Sequence, residues 1–383
     1  MKGLPLAFVA VAVLTGCVAP PSTIPTSGAT ASPTPTKVEI TSTTAAELQS
    51  VIAARFRALG AKDLTAFQAT FDRTRPGFRR CQQELFDVAA RQGVTARPPT
   101  VVKVESYGNG YVRAYLEDGS NGIERRYFRR DGDRWIVTEP TIDELGGARS
   151  KVVDGVRVDY WGIDEDVVDF IGREAAATRE FLMPHAGSPI RDPYFVKLIP
   201  TRETAGIVAC GFGAFADTRD EHAPFMGLWR LWLAPSLDRV SDYQQAVVRH
   251  EGLHYLQDQF SHRINVRLDW WLIEGWPDYV ARSRGRGAIA EAVCASTIPA
   301  LKRIIDGVPT EPDTPPELTG QYYGLANSMI EYVYATYGAE SYWDLVALYK
   351  DNPDYRVTYP KIFKVEPDAF YQDWLAFAKR KYC

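Results

Sequence analysis

The sequence predicts an α+β protein in two folded units, on three observations. Residues 44–148 switch from helical to strand periodicity partway along. Residues 151–383 carry two long helical patterns, 242–260 and 321–337, behind a short strand–helix–strand stretch. A length of 383 residues exceeds what one hydrophobic core ordinarily organises. Composition agrees: 45% hydrophobic and 24% charged residues exclude whole-chain disorder and collagen. Lys plus Arg number 44 against 48 Asp plus Glu, a net charge of −4, which argues against a nucleic-acid binder held by phosphate neutralisation.

The first sixteen residues read as an export signal. Lys2 is the positive start and Pro5–Leu14 an uncharged apolar run, too short to span a bilayer. The run ends in Leu14-Thr15-Gly16-Cys17, which resembles the lipobox of bacterial lipoproteins. The resemblance implies cleavage before Cys17, lipidation of its thiol and an extracytoplasmic, membrane-anchored chain. Residues 17–43 are rich in Pro, Ser, Thr and Ala and form a flexible linker that cannot bury enough surface to fold.

In the first unit, Thr44-x-x-Glu47 has the form of a capping box, and Leu48, Ile52, Phe56 and Leu59 follow at helical spacing to Gly60. Asp63 can cap a second short helix, and a third runs from near Pro76 to Ala90. Val101–Tyr107, Tyr111–Leu116, Ile123–Arg130 and Trp135–Thr138 alternate as strands joined by Gly-Asn-Gly and Asp-Gly turns. The pattern is similar to the nuclear-transport-factor-like cone. Arg125, Arg126, Arg129 and Arg130 are expected to form a solvated basic face. Cys81, Cys210, Cys294 and Cys383 can form two disulfides in an exported chain, with three possible connectivities.

The second unit, 151–383, opens with a strand at Val156–Tyr160, a helix at Asp164–Phe181 and a strand at Tyr194–Pro200. The helix Asp242–Phe260 then carries His250-Glu251-Gly252-Leu253-His254, and the chain has only three other histidines, His185, His222 and His262. Imidazoles four residues apart lie one above the other on a helix and can grip one Zn²⁺ from a single face. Glu251 then reaches the open coordination position without ligating, and the ion draws the pKa of a water towards ~7. Twenty residues on, Glu274 sits in Trp271-Leu272-Ile273-Glu274-Gly275-Trp276, where a carboxylate is costly unless paired or metal-bound. It is the natural third ligand. Asp278, one turn later, is placed to accept the ring N–H of a ligand histidine, His250 first. Pro277 is harmless only in a first helical turn, so this helix should start near Ile273 or Glu274.

His-Glu-x-x-His with a later Glu and an Asp four beyond it resembles the gluzincin (thermolysin-like) metallopeptidases, and Trp-x-x-Glu-Gly-x-x-x-Tyr resembles their peptidase-MA-like bacterial branch. The resemblance implies a mixed sheet, a helical C-terminal half, a peptide or protein substrate, His250, His254 and Glu274 as ligands of one zinc ion, Glu251 as general base and Asp278 behind a ligand. It implies that the strand Phe225–Ala234 pairs with extended substrate. It also suggests an oxyanion donor from a later helix: Tyr323 first, then Tyr322, with His262 as a further possibility. Cys210-Gly211-Phe212-Gly213 is a glycine-rich turn without the ending of a phosphate loop. Two other classes fit the same residues: a substrate- or wall-binding lipoprotein with a closed, structural zinc site, and a zinc hydrolase of a non-peptide amide or ester.

Overall fold

The computed structural model describes residues 39–92, 97–108, 110–117, 122–185, 195–199, 201, 216–217, 225–226, 232–233, 236–237, 241–261, 268–308 and 316–383. The expected signal, Cys17, most of the expected linker, His222, His262 and the Cys210–Gly213 segment lie outside these residues. The architecture is α+β, with a helical C-terminal half.

Three helices, α1 (Thr44–Gly60), α2 (Leu64–Gln68) and α3 (Pro76–Gln92), cover one face of an antiparallel sheet of β1 (Thr100–Gly108), β2 (Tyr111–Glu117), β3 (Ile123–Asp131) and β4 (Arg134–Thr138). Strand alternation explains the packing. Val112, Ala114, Leu116 and Phe128 share a core with Leu48, Ile52, Phe67, Phe71 and Phe86 of the helices. Tyr111, Arg113 and Tyr115 pair across to Arg129, Tyr127 and Arg125 on the opposite face. That face is covered too, since β2 is buried along nearly its whole length. Tyr115 and Ile123 join Val156, Val158, Ile171, Val248 and Tyr255 in one apolar cluster, so the core runs from the first unit into the second.

Two local expectations change here. Asp63 caps α2, accepting from the Ala66 N–H at 2.9 Å. The capping box at Thr44–Glu47 does not form: Thr43 is the N-cap residue, and its side chain makes no capping bond to the helix. Glu47 instead accepts from Arg130 at 2.8 Å and the Trp135 indole at 2.6 Å. The arginine run is not one solvated face: of its four members only Arg130 is exposed. Arg125 is buried against Asp164 (3.1 Å), Arg126 pairs with Glu124, Arg129 with Asp72 and Arg130 with Glu47. Glu124 is local, but Asp164, Asp72 and Glu47 are distant in sequence and absent from any local pattern.

The second unit begins with the hairpin β5 (Ala148–Val153) and β6 (Val156–Trp161), with β7 (Phe195–Lys197) parallel to β6. Helix α4 is Val168–Leu182, starting four residues later than expected, where Asp164 has been drawn to Arg125. Within Phe225–Ala234 the described residues pair at two places: β9 (Phe225–Met226) with β8 (Ala216–Asp217), and β10 (Trp232–Leu233) with the start of β3.

Among the described residues eight helices follow: α5 (Asp242–Ser261), α6 (Trp270–Val280), α7 (Arg286–Val293), α8 (Leu301–Asp306), α9 (Pro316–Tyr337), α10 (Glu340–Tyr349), α11 (Tyr355–Phe363) and α12 (Pro367–Tyr382). They bury Trp271, Trp276, Tyr342, Tyr359, Phe363, Phe370 and Trp374 in one core. Helix α6 starts at Trp270, earlier than Pro277 led us to expect, and carries the proline in its interior. Burial of Trp271, Leu272 and Trp276 outweighs the lost backbone hydrogen bond, since tertiary packing overrides propensity. Cys294 is bonded to Cys383, which leaves one of the three connectivities; Cys81 is disulfide-bonded as well. No helix among the described residues is long and apolar enough to cross a membrane.

Candidate metal centre

Helix α5 is wedged between two cores, which is why its polar residues converge on one edge. Val248 and Tyr255 pack towards β6 and α4, whereas Leu253 and Leu256 pack towards α6 and α9. His250, Glu251 and His254 occupy the remaining strip, the histidines one turn apart. Glu274 enters from α6, which lies against both α5 and α9, and is buried almost completely.

The three residues meet. Nε2 of His250 and Nε2 of His254 are 3.1 Å apart, and each is 3.4 Å from Oε2 of Glu274. A divalent ion bonded at 2.0–2.2 Å with tetrahedral angles needs donor separations of roughly 3.3–3.6 Å. The triangle fits one such ion, and its two imidazole donors disfavour calcium or magnesium. The group can therefore hold a metal ion. Electrostatics agree with a cation here. Burial opposes ionisation of Glu274, but the imidazoles of His254 and His250 hold its carboxyl well below the usual carboxylate range. Burial would lower His254; the Glu274 carboxylate overrides it and raises the ring to about 9.

Glu251, the residue between the ligand turns, is buried at the same edge, and its negative charge acts on His254 and on Tyr323. Tyr323 of α9 is brought to the site, but its hydroxyl donates to Oε2 of Glu274 at 3.1 Å. The expectation of an oxyanion donor becomes a ligand support in this arrangement. Burial, then the Glu274 carboxylate, push the phenol well above its ordinary pKa and keep it a donor. Its ring stands edge-on to Trp270, as does that of Tyr322, which is buried one residue away.

Asp278 lies one turn beyond Glu274, as expected, but it does not bond a ligand histidine. Its Oδ2 accepts from Arg284 Nε at 3.2 Å and Asn327 Nδ2 at 2.9 Å. Glu274–Tyr323 and Asp278–Asn327 thus form two rungs, four residues apart on each helix, between α6 and α9. The partner that His254 does have, Gln257 at 3.0 Å from Nδ1, went unread in the sequence. So did Arg284 and Asn327. Gln257 alone had a local signal, standing three residues after His254 on the same helix; the others are supplied by folding. No family model matches this chain, and no curated protein matches it.

Proposed function

We propose that the chain is a zinc-dependent metallopeptidase of the gluzincin type, held outside the cytoplasm by a lipid on Cys17. The observation that carries the reading is the triangle of His250, His254 and Glu274 donors, 3.1 to 3.4 Å on its edges, with Glu251 on the intervening helical turn. A zinc ion on that triangle supplies Lewis acidity to a carbonyl and to water. The chain supplies the rest. Glu251 is the general base that takes a proton from water and returns it to the leaving amine, a role worth ~10²–10⁴ in rate. Tyr323 holds Glu274 in place, and Arg284 and Asn327 hold Asp278 at the far end of the same helical contact. The lipid anchor is supported by Leu14-Thr15-Gly16-Cys17, and an oxidising location by the Cys294–Cys383 bond. In this reading the first unit has the nuclear-transport-factor-like cone fold.

The test is zinc analysis of the purified chain together with digestion of an unbiased peptide library. We expect one zinc per chain and cleavage that a chelator abolishes. Glu251→Gln should keep the zinc and lose at least a hundredfold in turnover. Full turnover by that variant would refute the base assignment. Zinc binding without cleavage of any peptide would refute the peptidase reading.

A further inference from the structure

We propose that Gln257 is a positioning residue for the metal centre: it fixes the tautomer of His254 and ties the histidine helix to the glutamate helix. The proposal rests on the metal reading above. Gln257 stands on α5, three residues after His254, and is 5% exposed. Its carboxamide has its orientation imposed from outside the site. Nε2 lies 2.7 Å from the carbonyl oxygen of Leu272, and a carbonyl can only accept, so the nitrogen must be on that side. The second amide hydrogen goes to the Tyr342 hydroxyl at 2.6 Å. Tyr342 cannot turn away, because it is fully buried and stacked on Trp276 with centroids 4.9 Å apart. Oε1 is thereby directed at Nδ1 of His254, 3.0 Å away.

The consequence is chemical. An acceptor at Nδ1 requires the proton there and leaves the lone pair of a neutral ring on Nε2, the atom that faces His250 and Glu274. The same amide grips the carbonyl two residues before Glu274. One side chain therefore sets both the ring that donates and the helix that brings the third donor.

The closing experiment uses the intact chain, stripped by a chelator, with Zn²⁺ affinity read by competition against a chromophoric chelator. The Co²⁺ ligand-field spectrum and metal-free unfolding temperature are recorded beside it. Gln257→Met removes donor and acceptor at nearly equal volume and should weaken Zn²⁺ binding by ~10–100-fold. Gln257→Glu keeps the acceptor for His254 but sets an oxygen against Leu272. It should unfold at a lower temperature yet bind Zn²⁺ within a few-fold of wild type, with an unaltered Co²⁺ spectrum. A purely structural role predicts that affinity follows unfolding temperature in both. Gln257→Met binding like wild type, or Gln257→Glu falling as far as Gln257→Met, overturns the proposal. Should Gln257→Met not fold, NMR of the zinc-loaded wild type decides: an Nδ1 proton of His254 held downfield and slow to exchange supports the bond to Gln257, and one exchanging freely with water overturns the proposal. His254→Ala separates the underlying reading, for unchanged Zn²⁺ affinity in that variant would refute the metal centre itself.

Discussion

Gly275 marks the closest approach of α6 to α9. A methyl group built on it would stand 2.6 Å from the carbonyl oxygen of Ala326 and 2.7 Å from its carbonyl carbon, where ordinary contact begins near 3.4 Å. Gly275→Ala must therefore part the helices by about 0.8 Å, an overpacking strain of ~1–3 kcal/mol. Helix α9 has little room to retreat. On another side its Gly324 meets Ala292 of α7, where a built methyl would come within 2.5 Å. The displacement falls on the residue next to Glu274. If α6 takes it, separations of 3.4 Å grow to roughly 4.2 Å, beyond the ~3.6 Å one tetrahedral ion can bridge. Denaturant unfolding of the metal-free chain should show the stability loss, and zinc competition an affinity at least tenfold weaker. Gly320→Ala on α9 is the control, since nothing lies within 4 Å of its built methyl. It should gain ~0.5–1 kcal/mol from helix propensity. A Gly275→Ala chain that unfolds like wild type and binds zinc equally would refute the close packing of α6 on α9.

Arg125 and Arg130 should separate sharply on replacement by alanine. Arg125→Ala strands Asp164 in the interior and should cost ~3–5 kcal/mol, whereas Arg130, half-exposed with Glu47, should cost no more than ~1 kcal/mol; equal losses would contradict the burial difference. Cys383→Ser opens a crosslink spanning 89 residues, which chain entropy values at ~4–5 kcal/mol, and the urea midpoint should fall; an unchanged midpoint would sink the expectation. Asp269 is buried, and this pushes its carboxyl up to about 6 despite hydroxyls donated by Tyr349 and Tyr359. An acid raised in the folded state binds more protons than the unfolded chain. Its contribution to stability therefore falls as pH rises from about 4 to about 6 and is flat above. Asp269→Asn should accordingly gain on wild type by up to ~3 kcal/mol between pH 4 and pH 7, and parallel stability curves would show that the group does not titrate there.

What could be read from the sequence follows how local its cause is. The strands from Thr100 to Thr138 declare themselves by periodicity, and the His250–His254 pair by helical geometry alone. Glu274 could be found because a carboxylate among tryptophans needs a reason. The partners were not legible. Glu47 has the spacing of a capping box but goes to Arg130 and Trp135, more than eighty residues away. Pro277 signals a helix start that the burial of Trp271 and Trp276 overrules. Helices α7, α8 and α10–α12 lack a motif, yet they help complete the core on which α6 rests.

The same division runs through the candidate site. Its donors are fixed by two helices, but their aim depends on residues around them. Tyr323 of α9 holds Glu274, Gln257 holds His254, and Tyr342 of α10, stacked on Trp276, holds Gln257. Tyr323, Gln257 and Tyr342 are all buried, so letting go of a partner would leave a donor or acceptor unsatisfied, at ~1–3 kcal/mol apiece. The positions of the three donors are therefore held by the cost of abandoning those supports. A site preorganised in this way meets an ion without rearranging its helices, which is why small displacements of α6 should register in metal affinity before they unfold the chain.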